Sequence, residues 1–173
     1  MTEQQPYDVV REYPNFELRR YPAHTVAEVD VAADFDSAGS RAFGQLFSYI
    51  SGGNADQRKI AMTAPVVQMP TDRGHAVAFV MPQGLQDAPV PADSAVNIRV
   101  EPERTAAATR YSGRWSRRDY DRRLAELRDA ISAAGLTATG EPRFARFNPP
   151  YTPWFLRRNE IVIDVEGVQA STS

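Results

Sequence analysis

An internal repeat is the feature that most restricts the fold of this chain. The segment FELRRYPAHTVAEVDV, beginning at residue 16, aligns with VNIRVEPERTAAATRY, beginning at residue 96, at a constant offset of 80 residues. Arg19 then falls on Arg99, and with one added residue in the following helices Phe47 falls on Arg128. A duplicated unit, covering about residues 16–81 and 96–165, accounts for this pattern.

The sequence pattern within each unit predicts two strands, a helix and then two more strands. In the first unit, alternation of apolar residues predicts strands at 16–21, 26–31, 59–67 and 75–81. The helix between them begins at Asp36 or Ser37 and ends at the glycine pair 52–53. Its predicted apolar stripe consists of Phe43, Leu46, Phe47 and Ile50.

The second unit repeats this order. Ser116 is placed to cap its helix by accepting a hydrogen bond from the amide of Asp119, and Gly135 ends that helix. Strands are predicted at 143–147 and 160–165. The predicted apolar stripe of this helix consists of Tyr120, Leu124, Leu127 and Ile131.

Neither unit can bury both a helix stripe and a sheet face by itself. We therefore predict an α+β fold in which the duplicated strand-strand-helix-strand-strand units form a pseudo-twofold antiparallel curved sheet or open barrel with two helices. One domain covers residues 1–168, residues 82–94 form an exposed crossing loop, and residues 169–173 form a disordered tail. A cleft between helix and sheet is the expected ligand site.

The segment RKIAMTAPV, at residues 58–66, is apolar on both faces of a predicted strand. Proline cannot donate to a strand ladder, so Pro65 marks a strand edge, a bulge or a place where the sheet opens. We interpret this segment as scaffold, with Met62 as core filler.

Composition excludes several kinds of protein. The chain has 173 residues, enough for one packed domain, and no cysteine, so disulfides and thiolate chemistry are excluded. No apolar run reaches the roughly 20 residues of a membrane span, and the polar start MTEQQPYD lacks signal-peptide features. A net charge of −2 gives no attraction to nucleic acid. The expectation is a cytoplasmic protein without a nucleic-acid partner.

Several motifs, taken together in their order along the chain, are specific enough to indicate a protein family. The segments YDVVREYPNFELRRYP, KIAMTAPV, FVMP, SGRW, FNPPYTP and RRNE occur in the order and spacing typical of one family. From about Tyr7 to Val165 the chain resembles the SOUL heme-binding protein family. This resemblance implies a pseudo-symmetric, barrel-like α+β fold that binds heme or another tetrapyrrole in an apolar groove, without shared enzymatic chemistry. More distantly, the chain resembles effector-binding domains of bacterial regulators.

The resemblance also implies site residues. Animal members carry a proposed axial histidine in the first strand, and here that position is Arg20. Arg20 shares a predicted face with apolar residues, so it requires either an anionic partner or a route to water. Groove-lining positions match Phe43 and Phe47, although Phe43 also fits a simple core position. Arg128 matches a basic residue near the heme propionates. The remaining helix positions near the polar edge of the ligand are Ser40, Arg41 and Ser48.

The loop NPPYTPWFLRR contributes the remaining candidate site residues, Tyr151, Thr152 and Trp154. Clustered aromatic residues in a loop stiffened by prolines either cover a flat ligand or plug one end of the barrel. His24 and His75 have no partner at metal-ligand spacing, so both are interpreted as surface histidines and no metal site is predicted.

Three functions are compatible with this pattern. The leading hypothesis is binding or carriage of heme or another tetrapyrrole, held non-covalently. An alternative is a sensor module that binds another small effector. A third is a hydrolase with Glu160 as base and Tyr151 as acid, but no base and nucleophile occur at a readable spacing, so no catalytic residues are assigned.

Overall fold

The computed structural model describes residues 2–85 and 87–166. In chain order the elements are β1 (Glu3–Gln4), β2 (Asp8–Glu12), β3 (Glu17–Tyr21), β4 (His24–Val31), α1 (Ala38–Ile50), β5 (Thr63–Ala64), β6 (Val66–Thr71), β7 (Gly74–Val80), β8 (Asn97–Glu101), β9 (Arg104–Tyr111), α2 (Arg117–Ala133), β10 (Thr137–Arg146), a 3-10 helix (Trp154–Leu156) and β11 (Asn159–Glu166). The predicted tail at 169–173 lies outside the described residues.

Nine strands form one open sheet in the order β2-β3-β9-β11-β10-β6-β7-β4-β8, and every neighbouring pair is antiparallel. Outside this sheet, β1 pairs in parallel with β5. Helix α1 packs mainly on β4 and β7, and α2 packs on β10. The predicted α+β class, with a curved antiparallel sheet and two helices, is confirmed.

Strand order and register both follow the repeat. From its centre, where β6 meets β10, the sheet runs outward as β7-β4-β8 on one side and β11-β9-β3 on the other. Arg19 lies opposite Ala106, and its repeat equivalent Arg99 lies opposite Val26, which is the equivalent of Ala106. The two halves of the sheet are therefore related by a pseudo-twofold axis.

The first strand of each unit pairs with the opposite unit. Although β3 and β4 are separated only by Pro22 and Ala23, they do not pair with one another. Instead β3 pairs with β9 and β8 pairs with β4. The two units therefore complete one another's sheets, and neither has all its strand neighbours within its own sequence.

Strand alternation sends side chains to two different sides of the sheet. Val77 and Phe79 of β7 pack with α1, and Ile161 and Ile163 of β11 pack in the cluster that contains α2. The alternate residues point to the face that carries no helix. Each helix thus covers its own hydrophobic core on one face of the sheet. The other face of the curved sheet encloses a cavity.

Helix α1 departs from the predicted stripe. Its buried residues are Ala38, Gly39, Ala42, Leu46, Tyr49 and Ile50. Phe43 and Phe47 are 43% and 49% exposed, so the interpretation of Phe43 as core is wrong. The small residues Ala38, Gly39 and Ala42 share the buried side with Leu46, Tyr49 and Ile50, and the two phenylalanines lie on the exposed side.

Helix α2 follows its prediction closely. The Asp119 amide donates to the Ser116 hydroxyl over 3.2 Å, and Gly135 follows the helix with φ of +78°. Tyr120, Leu127 and Ile131 are buried, and Leu124 is half-buried against the same core.

Two predicted segments differ from the structure. Residues 58–62 are not a strand, because Ile60 donates to the Ile50 carbonyl and the Asn54 side chain binds the backbone of Arg58, which ties this segment to the end of α1. The crossing loop is not fully exposed: Pro89 is buried and its carbonyl accepts a hydrogen bond from the Tyr49 hydroxyl over 2.7 Å.

Candidate functional site

A central cavity of about 430 Å³ lies on the sheet face opposite the helices. Its apolar wall comes from alternate residues of adjacent strands and consists of Val26, Val67, Met69, Ala76, Ala78, Val80, Ala145 and Val162. Pro65 lines this cavity at the break between β5 and β6. The sequence left open a strand edge, a bulge or an opening of the sheet at Pro65, and the structure places this residue between the end of β5 and the start of β6.

A buried ion pair closes one side of the central cavity. Arg19 and Glu160 are each 1% exposed, and two nitrogens of Arg19 donate to the two carboxylate oxygens over 2.6 and 3.0 Å. Burial alone raises the pKa of Glu160, but hydrogen bonds and attraction from Arg19 and Arg158 outweigh it, so the pKa is lowered. Glu160 is therefore held as a carboxylate.

A second charged cluster lines the other side of the central cavity. Arg99 pairs with Glu28 over 2.5 Å and also with Glu101. Arg104 and Arg143 each bind Asp164 over 2.9 Å, and Arg104 also pairs with Glu101. These charges largely compensate one another, so the cavity combines an apolar wall with a neutralised polar edge.

The interpretation of both histidines as surface residues is wrong. His75 is 8% exposed, and its Nδ1 lies 2.8 Å from the Ala33 carbonyl. His24 is half-buried in the wall of the central cavity, with its Nε2 3.1 Å from the Gln5 amide nitrogen. Burial lowers the pKa of His24, so its imidazole is neutral near pH 7.

The five predicted site residues on α1 lie together on its exposed side: Ser40, Arg41, Phe43, Phe47 and Ser48. The rings of Phe43 and Phe47 stack with centroids 5.6 Å apart. Phe43 also meets the buried Phe79 edge-on at 5.8 Å, which anchors the pair on the sheet. A stacked aromatic pair is thus presented to solvent.

The loop before β11 carries the other predicted aromatic residues. Tyr151 is 87% exposed and Trp154 is 47% exposed, whereas Thr152 is half-buried. Arg157 donates to the carbonyls of Thr152 and Pro150 over 2.9 and 2.7 Å, which fixes the shape of the loop. Neighbouring Phe155 and Leu156 are also exposed.

A chain of contacts joins this loop to α1. The Arg157 guanidinium lies 4.1 Å from the centroid of the Trp115 ring, and Arg146 approaches the same ring at 5.0 Å. Arg146 in turn lies directly against Gly39 in the first turn of α1. We call the exposed side of α1 together with the loop at residues 149–156 the α1–loop surface.

The last two predicted residues lie elsewhere. Arg20 is half exposed on β3, 3.6 Å from Glu103, so it has both an anionic neighbour and access to water. Arg128 is exposed on α2 and lines a smaller cavity of about 290 Å³, which also includes Phe35, Pro70 and Tyr120.

The arrangement does not favour hydrolytic chemistry. Glu160 is enclosed by arginines, whereas Tyr151 is on the exposed loop. A carboxylate with a lowered pKa is a weak general base. Within residues 2–85 and 87–166, no group of three His, Cys, Asp or Glu side chains could hold a metal ion. In the same part of the chain, no helix is long and apolar enough to cross a membrane.

Two arginines near the candidate sites were not predicted from the sequence. Arg19 is buried in an ion pair, and Arg146 forms no side-chain hydrogen bond or ion pair among the described residues. Arg19 had a signal in the repeat, because an arginine occupies the same position, Arg99, in the second unit. In both units this arginine forms ion pairs beside the central cavity. Arg146 carried no comparable signal, because its surroundings come from α1 and Trp115, which are distant in sequence.

Comparisons with known proteins agree with this architecture. Heme-binding protein 1 of Xenopus tropicalis is 28% identical over 155 residues, which cover 84% of this chain and 81% of that protein. The C-terminal domain of EcmrR superposes with a TM-score of 0.68 at 14% identity and covers 92% of this chain and 98% of that one. A hydrolase encoded by lin2189 from Listeria innocua has a TM-score of 0.66 at 11% identity and covers 88% and 92%.

The two solved structures are too distant in sequence to show more than the shared fold. Residues 2–164, nearly the whole chain, match the family described as SOUL heme-binding protein. This match and the curated relative agree with the motifs, the repeat and the sheet topology. The chain is therefore a member of the SOUL heme-binding protein family.

Proposed function

We propose that this protein binds heme or another tetrapyrrole non-covalently at the α1–loop surface, as a binding or carrier protein without catalytic chemistry. The observation that carries the proposal is the exposed, stacked pair Phe43 and Phe47 in a member of a heme-binding family. The loop at residues 149–156 also exposes aromatic residues, Tyr151 and Trp154. Contiguous exposed apolar patches mark binding sites.

The chemistry of the surface suits a flat aromatic ligand. Its apolar part consists of Phe43, Phe47, Tyr151 and Trp154, and its polar edge consists of Ser40, Arg41, Ser48 and Thr152. Arg20 instead lies beside Glu103 on β3, and Arg128 lines the smaller cavity on α2. We therefore propose that the affinity comes from the α1–loop surface rather than from these two arginines.

Burial of the macrocycle supplies most of the binding free energy. Each square ångström of apolar surface removed from water contributes about 25 cal/mol. An exposed arginine–propionate pair contributes only about 0.2 to 1 kcal/mol. The chain has no cysteine, and neither histidine lies on the α1–loop surface. Iron-free protoporphyrin should therefore bind nearly as well as heme.

The first test compares Phe47→Ala with a substitution in the central cavity, Ala145→Leu, by absorbance titration with hemin and then with protoporphyrin IX. Phe47→Ala removes half-exposed surface without opening the core, and we expect about tenfold weaker binding of both ligands. Ala145→Leu fills part of the central cavity, and affinity should stay unchanged. Circular dichroism checks that both variants remain folded.

The second candidate function is binding of a small effector in the central cavity. The observation in its favour is the size of that cavity, about 430 Å³, within the range of roughly 300–1,000 Å³ seen for ligand pockets. Loss of tetrapyrrole binding in Ala145→Leu, with Phe47→Ala unaffected, would move the site to this cavity. Saturation by hemin but not by iron-free protoporphyrin would overturn the proposed energetic basis.

A further inference from the structure

Arg146 is a partly buried cation without an acceptor among the described residues. It ends β10 opposite Val66 on one side and Asn159 on the other. Among the described residues its guanidinium forms no hydrogen bond and no ion pair, and its recorded ring contact is Trp115, 5.0 Å from the ring centroid. Burial lowers the pKa of Arg146 to about 10, with no carboxylate to oppose that shift. A partly buried cation loses part of its hydration, and here no carboxylate in the described part of the chain replaces it.

The surroundings of Arg146 form a built cradle. A Cβ atom at Gly39 would overlap the guanidinium in its present position, so glycine here lets the side chain lie directly against the helix. Trp115 is itself fixed, because its indole nitrogen donates to the Asn159 side chain over 2.8 Å. The guanidinium also lies at the positive end of the α1 dipole, in a first turn without an acidic residue. The Arg146 guanidinium and the N-terminus of α1 therefore both contribute positive potential at the same place.

Gly39, Phe43 and Phe47 follow one another at intervals of four residues along α1. Residues at this spacing lie on the same side of a helix, one turn apart. At a rise of 1.5 Å per residue the row is about 12 Å long. Phe43 and Phe47 are the second and third residues of this row. The guanidinium of Arg146 lies against the first residue, Gly39.

The pseudo-equivalent place on α2 is built differently. There the residues are Tyr120, Leu124 and Arg128, and the strand position equivalent to Arg146 is Pro70, opposite His75 as Arg146 is opposite Asn159. Tyr120 packs 4.6 Å from Phe35 and, with Pro70 and Arg128, lines the smaller cavity of about 290 Å³. Only the α1 side places a strand arginine against the first turn of its helix, because the equivalent strand residue on the other side is Pro70.

We propose that Arg146 binds a propionate carboxylate of the tetrapyrrole, with the macrocycle lying along α1 over Phe43 and Phe47. This inference rests on the proposed function and adds the orientation of the ligand to it. A guanidinium binds a carboxylate through two parallel hydrogen bonds, which also fixes the angle of the ligand. Bound carboxylate supplies the acceptor that the protein itself does not provide.

The test compares two ligands that share the same macrocycle: protoporphyrin IX, with two free propionate carboxylates, and its dimethyl ester, in which both are uncharged methyl esters. The wild-type protein should bind the diacid about tenfold more tightly than the diester, as expected for a partly buried charged hydrogen bond. Arg146→Met should abolish this preference while the affinity for the diester stays unchanged. Arg146→Lys should restore part of the preference.

Arg122→Met is the matched control, because Arg122 is an exposed arginine on α2 that pairs with Asp119. It should keep the full preference for the diacid. Ligand-free Arg146→Met should unfold at the wild-type temperature or above, because the lost cation had no partner.

Each outcome separates the two claims. If the wild type binds neither porphyrin, the proposed function and this inference both fail. If both porphyrins bind but Arg146→Met keeps the wild-type preference, the function stands and the role of Arg146 is wrong. A lower unfolding temperature for Arg146→Met, together with an unchanged preference, would make Arg146 a structural residue that packs on Trp115.

Discussion

At the scale of single residues, Arg19 and Arg20 are neighbours in sequence but have different roles, because only Arg19 forms the buried ion pair with Glu160. Arg19 is buried and donates to Glu160, Glu17 and the Tyr21 hydroxyl, whereas Arg20 reaches solvent. Burial raises the pKa of Tyr21 to about 12, although Arg19 opposes this shift, so the hydroxyl stays protonated and accepts a hydrogen bond. The wall of the central cavity depends on this network.

Replacing Arg19 with methionine should lower the free energy of unfolding by about 3–5 kcal/mol, because it leaves the Glu160 carboxylate buried without its main partner. Urea unfolding at pH 7 measures this loss. The double variant Arg19→Met with Glu160→Leu should recover much of the stability, because both fully buried charges are removed together. A double variant that loses the sum of the two single effects would contradict this account.

The pH dependence follows from the lowered pKa of Glu160. The usual value for this carboxyl is 4.5, and the folded state holds it lower. The stabilisation is therefore complete above pH 4.5 and is lost as the pH falls through the folded-state pKa. Arg19→Met should lack this decline on acidification.

At the scale of elements, the two helices begin in different ways. Ser116 accepts a hydrogen bond from the Asp119 amide and so caps α2. Ser37 precedes α1 but makes no such capping bond, and its hydroxyl donates to Asp34 over 2.6 Å. The equivalent elements of the repeat therefore differ in how their ends are stabilised.

The element-scale prediction compares these two serines. Ser116→Ala should reduce the free energy of unfolding by about 1 kcal/mol, because it leaves a helix amide without its acceptor. Ser37→Ala should cost clearly less, because no capping bond is lost. Urea midpoints at constant slope measure the difference, and equal losses for the two variants would contradict it.

At the scale of the whole molecule, the exchange of β3 and β8 makes the two units depend on one another. Each unit supplies the outer strand for the other unit's sheet. The segment before β8 is also tied to the first unit, since Ala92 donates to the Gly53 carbonyl over 3.0 Å. Folding should therefore be cooperative across the whole repeat.

We expect fragments of residues 1–94 and 95–173 to lack native structure as separate monomers and to regain the native circular dichroism spectrum when mixed. The physical reason is that each fragment lacks the strand that completes its sheet. Size-exclusion chromatography gives the state of each species. Folding of either fragment as a monomer would contradict the prediction, whereas a homodimer would agree with the strand exchange.

The repeat, the strand and helix order and the α2 cap were predictable, because they depend on residues close together in sequence. Ser116, Asp119 and Gly135 lie within one helix and its ends, and the offset of 80 residues relates the strands directly. The candidate site residues were chosen from motifs that resemble the SOUL family, and these motifs are also short stretches of sequence. Those site residues stay a prediction until binding is measured.

Only the tertiary structure decided which partner each strand has and which side of α1 is buried. A short turn at Pro22 is compatible with a hairpin, yet β3 pairs with β9, because pairing depends on contacts between units. Phe43 and Leu46 are similarly apolar, and the packing of α1 on the sheet buries only Leu46. The gap at Gly39 for Arg146 likewise exists only after folding, because it joins residues more than a hundred positions apart.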